Sequence, residues 1–490
     1  MKRYSSKYKL LLVVSIFSIL CILPMQGAFS APEDLLPFEN MTAEVGRGFG
    51  DNWNRYAWSM EEFDGHIYVG TWSTNPDYPA IISALLSGEI DLSGSGNILE
   101  GISFTQSQGG EIWRHDGGQN WTQVYKADET DTGFRKMVEY DGTLYAATAN
   151  NQEGTNLYCS TDGTIWDELD GGPMANSDNN SIRTMLVNNG LLYVGTENNV
   201  TGGELWSYNG SSWNQIGSSG AFGNDAAVAE LAEFGGFLFV GTWDFTDTFS
   251  LYKVAEHDSS PIIFDVTPEV RALDGLNNLG VMRLIEYDNE LYLGTVNYLD
   301  GFSLLRSSTP WITGEESWDV ITTNGFDDPD NAYAWSMEVW DDTLYMGTFN
   351  TNLLNAFTPE PRAQLLYTQD GNNWETLVDD GFGSSFTYGV RTMMVSDDRL
   401  YIGTASNAMV YDPVSLLDYV DYLNHGGNGV DIDPEMLTGI LENSGYFHDG
   451  NTSWIGMEVY ASQQVPEPIT VFLLGIGLLG LGRVARKIKI

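Results

Sequence analysis

The chain has 490 residues, of which 42% are hydrophobic and 13% aromatic, and its formal net charge is −45. Only 18% of the residues are charged, too few for a disordered protein, so we expect one very large hydrophobic core or two to three ordinary ones. Eight of the 22 cations lie at the two ends, which leaves 14 cations against 66 acids between them once Glu467 is set aside. So few cations cannot neutralise a run of phosphates, and we therefore expect no nucleic-acid partner.

Residues 1–30 are predicted to be a secretory signal peptide. A cationic segment, MKRYSSKYK, precedes the apolar segment LLLVVSIFSILCILPM, and Ala28 and Ser30 place small residues at −3 and −1 of a cleavage site. Cleavage before Ala31 removes Cys21 and leaves Cys159 as the single cysteine, so no intrachain disulfide can form. The sequence predicts export by the Sec route and a mature protein stabilised by packing alone.

A short phrase built around Gly-Thr, or Ala-Thr in one copy, recurs between the two ends. The seven copies are HIYVGTWS from His66, TLYAATAN from Thr143, LLYVGTEN from Leu191, FLFVGTWD from Phe237, ELYLGTVN from Glu290, TLYMGTFN from Thr343 and RLYIGTAS from Arg399. Their second residues, the markers Ile67, Leu144, Leu192, Leu238, Leu291, Leu344 and Leu400, are 77, 48, 46, 53, 53 and 56 residues apart. This period fits a unit of four short strands.

The third unit shows the predicted order of its strands. An apolar strand from Ser181 reaches the turn 188–190, which is followed by the Gly-Thr strand, a third strand from Gly203 and, after an Asn-Gly turn, a fourth strand from Trp213. Four-stranded units that stack radially bury both faces of each sheet, which explains the nearly continuous apolar runs of the first two strands. We therefore predict an all-β fold, a seven-bladed β-propeller of four-stranded antiparallel blades, over residues 31–464.

Turns before the fourth strands share a second pattern. They read RHDGGQNW from Arg114, STDGTIW from Ser160, YNGSSW from Tyr208 and TQDGNNW from Thr368. These turns resemble the Asp-box of sialidases and related propellers, although only residues 116–121 have the full length of the box. In that family the box is a structural turn away from the active site, and we expect the same here, with the Asp side chain tying its own turn and the Trp filling the gap between blades.

The sequence does not decide which stretch supplies the strand that closes the ring. FENMTAEVGRGFGDNW, from Phe38, resembles a fourth strand with the loop into the next blade. FHDGNTSWIGMEVY, from Phe447, resembles a third turn followed by a fourth strand. Either terminus is therefore able to complete the last blade.

Three insertions are predicted between second and third strands, at residues 73–108, 350–363 and 405–444. Short helices are expected in two of them, at PAIISALLSGE and, with Asp433 as the cap and Pro434 at the first position, at PEMLTGILENSG. In a propeller these loops open on the same face as the fourth-to-first loops, where ligands usually bind. The insertions form either a cap over apolar surface or a lid over a ligand.

The candidate binding residues lie mostly in the first strand of each unit. Nine residues before the markers stand Trp58, Arg135, Arg183, Ala229, Met282, Trp335 and Arg391. The three arginines are able to clamp a carboxylate, as in sialidases, or to pair with acids of adjacent blades. Trp58 and Trp335, with Tyr56 and Tyr333, are able to stack on sugar rings or to wedge between blades.

Further ligand-binding candidates, Asn198, Asn297 and Asn350, follow the Gly-Thr phrase and are expected at a polar rim. Catalytic residues are not identifiable, because the five histidines are scattered and neither a Gly-x-Ser-x-Gly elbow nor a phosphate loop is present. No cofactor and no metal site is predicted. Calcium is the alternative, since Asn424, Asn428, Gly429 and Glu435 partly match an EF-hand loop.

The last 26 residues, VPEPITVFLLGIGLLGLGRVARKIKI, have three ordered elements. Val465-Pro466-Glu467-Pro468 precedes a short helix rich in Gly and Leu, and basic residues follow it. Residues 469–482 are apolar, and this segment is shorter than the roughly 20 residues that a spanning helix needs. Arg483 is able to lengthen the segment by snorkelling. The cations at this end would hold it in the cytoplasm.

This tail resembles the PEP-CTERM sorting signal, although its basic residues are spread out as RVARKIK. The resemblance implies export in a Gram-negative bacterium that makes exopolysaccharide, and recognition by exosortase near Pro466, Glu467 and Pro468. It also implies transient anchoring in the inner membrane through residues 465–490 and then release to the cell surface or extracellular matrix. A persistent membrane anchor is the alternative.

Two classes of function agree with these observations. The first is a non-catalytic surface or matrix protein whose propeller binds exopolysaccharide or an envelope protein. The second is a glycan-active enzyme, a sialidase-like hydrolase or a lyase, that uses the arginine cluster. The two differ in geometry, because Arg135, Arg183 and Arg391 would share an open pocket with a Tyr or Glu in the enzyme but form salt bridges between blades in the binder.

Overall fold

The computed structural model describes residues 38–51, 53–74, 107–218, 220–223, 225–244, 248–255, 261–351, 363–384, 387–406 and 456–463. The predicted signal peptide, the predicted sorting signal with its predicted membrane helix, and most of the three insertions with their predicted helices lie outside these residues. Within them the chain forms 28 β-strands and four short 3-10 helices. The helices are Arg47–Gly50, Gly172–Ala175, Arg271–Leu273 and Glu315–Ser317. No helix in the described ranges is long and apolar enough to cross a membrane.

The strands fall into seven consecutive units of four, numbered in chain order. Unit 1 contains β2 Asn54–Phe63, β3 His66–Ser73, β4 Glu111–His115 and β5 Trp121–Lys126; unit 2 contains β6 Gly133–Tyr140, β7 Thr143–Ala149, β8 Leu157–Ser160 and β9 Asp167–Glu168; unit 3 contains β10 Ser181–Asn188, β11 Leu191–Glu197, β12 Leu205–Tyr208 and β13 Trp213–Ile216. Unit 4 contains β14 Ala227–Phe234, β15 Phe237–Trp243, β16 Leu251–Ala255 and β17 Ile262–Asp265; unit 5 contains β18 Gly280–Tyr287, β19 Glu290–Val296, β20 Leu304–Ser307 and β21 Asp319–Thr322. Unit 6 contains β22 Asn331–Trp340, β23 Thr343–Asn350, β24 Leu365–Thr368 and β25 Glu375–Val378; unit 7 contains β26 Thr387–Ser396, β27 Arg399–Ser406, β28 Val459–Ser462 and β1 Phe38–Asn40.

All pairings between these strands are antiparallel. Each unit is a meander, and the second strand of a unit also pairs with the first strand of the next unit, as Trp72 does with Gly133. The pairing of Tyr56 with Ala405 joins unit 7 to unit 1. Among the described residues, the first and second strands therefore form a closed ring, and the all-β prediction is confirmed.

Unit 7 is completed by both ends of the described chain. β28, near the C-terminus, is its third strand, and β1, near the N-terminus, is its fourth, with Phe38 opposite Ser462. Of the two candidate stretches, the one from Phe38 thus supplies the fourth strand. The stretch from Phe447 supplies the third strand, not a third turn and a fourth strand, because Val459–Ser462 pairs directly with β27.

The threonine of each Gly-Thr phrase ties its unit together. The buried Thr71 hydroxyl donates to Asn54 Oδ1 at 2.7 Å and accepts from the Glu111 N–H at 3.0 Å. In unit 2, Thr148 makes the same two bonds, to Asp131 Oδ1 at 2.9 Å and from the Asn156 N–H at 2.8 Å. A single buried hydroxyl therefore links the second strand, the third strand and the loop that enters the unit, which explains why Thr recurs at this place.

The turns before the fourth strands are held by their own side chains. Asp162 Oδ1 accepts from the N–H groups of Ile165 and Thr164, each at 2.8 Å, and these bonds lower the pKa of Asp162 to about 2. The tryptophans that follow pack against neighbouring rings, as Trp213 does against Tyr208 at 4.6 Å between ring centroids. The Trp213–Tyr208 contact lies within unit 3.

Candidate functional site

A β-bulge interrupts the first strand of every unit at the same place. In unit 3 the pairing of β10 with β11 passes from Ile182 to Thr184 and skips Arg183. The skipped residues of the seven units are Trp58, Arg135, Arg183, Ala229, Met282, Trp335 and Arg391. A bulge re-aims the side chain of its extra residue, and all seven line one cavity of about 240 Å³. The structure thus brings together the seven residues that stand nine positions before the markers of the repeat.

The cavity continues from these bulges toward the turns that join the first and second strands, which we call the inner turns. Its charged lining consists of five cations, Arg135, Lys136, Arg183, Arg283 and Arg391, and three carboxylates, Glu61, Glu230 and Glu338. The sequence prediction missed Lys136, Arg283 and the carboxylates. The bulge offers a signal for three of them, because Lys136, Glu230 and Arg283 each directly follow a bulged residue.

Two of the three predicted arginines share one carboxylate. Glu197 accepts from Arg183 at 2.9 Å and from Arg135 at 3.4 Å, and Arg135 belongs to the neighbouring unit. Although burial opposes it, the attraction of Arg183 and Arg135 holds the pKa of the Glu197 carboxyl below its usual value. This ion pair between units is the arrangement expected of the binder. Arg283 is likewise paired, with Glu230 at 2.6 Å.

Arg391 differs from the other arginines of the cavity. Its guanidinium lies over the Trp335 ring, 5.3 Å from the centroid, and its buried Nε has no hydrogen-bond partner. No ion pair joins it to a carboxylate of the described chain within 4.0 Å. Burial, with the repulsion of Arg183, lowers the pKa of Arg391 to about 10. It is a partly buried cation with no carboxylate of the described chain at ion-pair distance, although Glu230 attracts it from farther away.

Aromatic side chains lie beside the arginines. Arg135 stacks 5.1 Å from the Trp58 ring and Arg183 lies 4.4 Å from the Trp243 ring. Trp58 and Trp335 are buried to more than nine-tenths. Little of either ring is therefore left for a sugar to cover.

An aromatic layer lies between the bulges and the starts of the first strands. Tyr56 contacts Trp335 at 5.6 Å, and Trp243 contacts Tyr333 at 5.8 Å, so rings from non-adjacent units meet. The Tyr388 phenol donates to the Tyr56 phenol, and Tyr333 shares a hydrogen bond with Tyr298. Members of the layer are Tyr56, Trp243, Tyr298, Tyr333, Trp335, Phe349 and Tyr388.

This aromatic layer has two consequences for the site. Burial raises the pKa of Tyr56 to about 12 and that of Tyr333 well above its usual value, so neither phenol ionises near neutral pH. The layer also lies between the cavity and the face of the fourth-to-first and second-to-third loops, where the sequence predicted ligand binding. The described lining of the cavity extends instead toward the inner turns.

The three asparagines predicted at a polar rim are buried where the second strands end and the second-to-third loops begin. Asn198 Oδ1 accepts from the N–H groups of Val200 at 3.0 Å and Thr201 at 2.8 Å, and Asn297 holds its loop in the same way. Asn350 Nδ2 donates to Asn331 at 3.3 Å. Each of the three is at most 2% exposed. None lines the cavity, and ligand contact through them would require these loops to open.

No group of three or more His, Cys, Asp or Glu side chains in the described ranges is arranged to hold a metal ion. The residues that partly match an EF-hand loop, Asn424 to Glu435, lie outside those ranges.

Glu61 makes the cavity sensitive to pH. Burial, against the opposing field of Lys136, raises the pKa of Glu61 to about 7, and burial also raises the pKa of Glu338. An acid with a raised folded-state pKa adds stability at pH below its unfolded value, near 4.5, and this stability is lost as pH rises through 7.

We therefore expect Glu61→Gln to increase the free energy of unfolding at pH 8, by about 3 kcal/mol at most, and to change it little at pH 4. Urea denaturation at the two pH values measures the difference. Glu62→Gln, at the exposed neighbouring residue, is the matched control. An equal effect of Glu61→Gln at both pH values would contradict the assignment of the buried carboxyl.

The family comparison places a sorting signal at the C-terminus. A model of the PEP-CTERM protein-sorting motif matches residues 464–487. This confirms the sorting signal that the tail predicted and supports a PEP-CTERM protein. The motif implies export, processing by exosortase and sorting to the cell surface in Gram-negative bacteria. No curated protein matches the chain in sequence.

Several solved structures are similar to this chain at low identity. A luciferin-regenerating enzyme is 11% identical over 67% of this chain and 90% of its own, with a TM-score of 0.38. Sqt1 of Saccharomyces cerevisiae is 11% identical over 72% of this chain and 81% of its own, with a TM-score of 0.41. A prolyl endopeptidase is 10% identical over 76% of this chain and 49% of its own, with a TM-score of 0.42. At these scores the likenesses carry no argument about fold or activity.

Proposed function

We propose that this protein is an exported seven-bladed β-propeller that binds acidic exopolysaccharide at the cell surface or in the extracellular matrix. The observation that carries the proposal is the gathering of five cations in one central cavity of a chain whose net charge is −45. Against so negative a surface, a cationic cavity is a specific attraction for carboxylates. An envelope protein with an acidic segment is the other ligand that this chemistry admits.

The seven four-stranded units support the propeller interpretation. Each unit is a meander whose first strand contributes its bulge to the same cavity, as radially arranged blades would. β1 and β28 come from opposite ends of the chain and meet in unit 7, a closure that would hold the ring together. The cavity is then the central channel of the propeller.

The termini support delivery to the cell surface. A signal peptide at residues 1–30 would start export by the Sec route. The matched motif at 464–487 would then anchor the propeller in the inner membrane until exosortase removes the tail near Pro466, Glu467 and Pro468. A matrix rich in exopolysaccharide would supply carboxylate groups for such a propeller to bind.

The contacts of two of the three arginines favour a binder over an enzyme, whereas Arg391 lies in the same cavity without an ion pair to a described carboxylate. Arg135 and Arg183 are tied to Glu197 between units, and the nearby tyrosines have raised pKa values. A specific observation favours the second candidate, a glycan-active enzyme: Glu61, whose pKa is raised to about 7, lies in the same cavity and suits a general acid.

The test uses residues 31–464 and one purified uronate-containing exopolysaccharide. The matched control ligand is the same polymer with its carboxyl groups reduced to alcohols. We expect retention on the acidic polymer, loss of retention on the reduced polymer and no new reducing ends after prolonged incubation. Equal retention on both polymers, or on neither, would refute carboxylate recognition. Release of oligosaccharides would establish the enzyme instead.

A further inference from the structure

The charges of the cavity do not balance. With every carboxyl ionised, above the pKa of about 7 at Glu61, its five cations face three lining carboxylates and Glu197, and the described residues leave one positive charge in excess. One monovalent anion would neutralise it. A phosphate dianion would exceed it, and the three lining carboxylates would repel the second negative charge.

The excess is located at two side chains. Arg135, Arg183 and Arg283 each have a carboxylate within 4.0 Å, whereas Arg391 and Lys136 have no such ion pair within the described chain. Lys136 is partly buried, and burial, with the repulsion of Arg283 and Arg391, lowers its pKa, although the attraction of Glu230 and Glu61 opposes the shift. Burying a cation without a partner is costly, and such a cost is commonly retained where a ligand supplies the missing charge.

The direction of entry follows from the lining. Tyr56, Tyr333 and Tyr388 precede the bulged residues in their strands and belong to the aromatic layer on one side of the bulges. None of these three tyrosines lines the cavity. Toward the inner turns the lining reaches Glu61 and Glu338, each two residues from the end of its strand. A ligand therefore reaches Arg391 and Lys136 from the side of the inner turns.

The size of the cavity limits the occupant. About 240 Å³ is less than the pockets that enclose drug-sized ligands. This space admits an end group or a pendant group and not a length of polymer that threads the ring. The planar guanidinium of Arg391 matches a carboxylate, with Lys136 as a second donor.

We propose that the cavity binds a single carboxylate, from the end or a side group of an acidic glycan, between Arg391 and Lys136, and that it enters from the inner turns. This inference rests on the proposed function and specifies its site. Arg135 and Arg183, paired through Glu197, then position the cavity wall and do not clamp the ligand.

The experiment measures binding of glucuronate by isothermal titration calorimetry at low salt and pH 8, where most of Glu61 is ionised. We expect Arg391→Gln and Lys136→Gln each to weaken glucuronate binding by about tenfold or more. Arg271→Gln is the matched control, because Arg271 is 85% exposed, lies outside the cavity and loses the same charge. Glucose and inorganic phosphate are expected to bind at least about tenfold more weakly than glucuronate.

Thermal unfolding separates a binding role from a structural one. Arg391→Met, which removes the unpaired charge and keeps an apolar chain, is expected to unfold at the same or a higher temperature than the wild type. Unchanged glucuronate affinity in Arg391→Gln and Lys136→Gln, or tighter binding of phosphate than of glucuronate, would overturn the inference. Marked destabilisation by Arg391→Met would make Arg391 structural and would also overturn it.

The same variants distinguish this inference from the proposed function. If the wild type retains the acidic polymer and both Gln variants retain it equally, the carboxylate site is wrong and the proposed function stands. If the wild type binds glucuronate but retains no exopolysaccharide, the polymer-binding function fails while the site stands.

Discussion

A chain that begins at Arg47 instead of Ala31 is expected to lose its cooperative fold. The removed segment contains β1, the fourth strand of unit 7, whose Phe38 and Met41 are 6% and 2% exposed. Burial of two such side chains contributes about 3 to 6 kcal/mol, and the ladder to β28 adds about 1 kcal/mol per hydrogen bond. Their sum approaches the whole stability of a typical domain.

The same segment also joins the two units on either side of the closure. The Met41 N–H donates to the Val459 carbonyl at 2.8 Å, and the Trp121 indole N–H of unit 1 donates to the Met41 carbonyl at 2.8 Å. Without the segment, β28 pairs with β27 alone, and its other edge is left open as a site for aggregation.

Circular dichroism during thermal denaturation, with the yield of soluble protein, measures the loss. A chain that lacks only residues 464–490 is the control, because it retains every described strand. A synthetic peptide of residues 38–46 is expected to restore part of the cooperative transition when added to the shortened protein. A normal transition in the chain that begins at Arg47 would show that β1 does not close the ring.

The fold was largely predictable because every unit repeats the same local sequence features. The Gly-Thr phrase, the turn residues and the period mark four strands without any long-range information. Closure was not predictable, since the stretches from Phe38 and from Phe447 carry the same local features. Only the pairing between opposite ends, Phe38 with Ser462, decides which strand comes fourth.

The position of the candidate site was predictable from the sequence, but the ion pairs between its charged side chains were not. The distance of nine residues located the seven bulged residues, because the hairpin from bulge to marker has the same length in every unit. The pairing of Arg135 and Arg183 depends on Glu197, and the Gly-Thr phrase carries a carboxylate at this position in unit 3 alone. Asn198 was predicted at the rim because it follows a strand, although its amide is used inside the loop.

The glycine of the repeated phrase is required by the contact between neighbouring units. In β23, a Cβ atom on Gly347 would lie 2.4 Å from the Val390 Cβ of the next unit and 2.7 Å from Ser336 Oγ. The position of a Cβ atom is fixed by the backbone, so rotation of the new side chain cannot relieve the contact. In five other units the glycine at this place, as at Gly241 beside Val281, would meet a side-chain atom at 2.5 to 2.6 Å.

Gly347→Ala is therefore expected to lower the free energy of unfolding by about 3 kcal/mol or more, since one of the two innermost strands must shift. Gly142→Ala is the matched control: Gly142 has a positive φ of 72° but open space around it, so only the backbone cost of about 1 kcal/mol applies. Urea denaturation of both variants measures the difference. Unit 2 carries Ala147 at this place, which indicates that the spacing between units 2 and 3 has adjusted to a methyl group. Equal costs for the two variants would mean that units 6 and 7 are able to make the same adjustment, and the close approach would then not be what restricts the phrase to glycine.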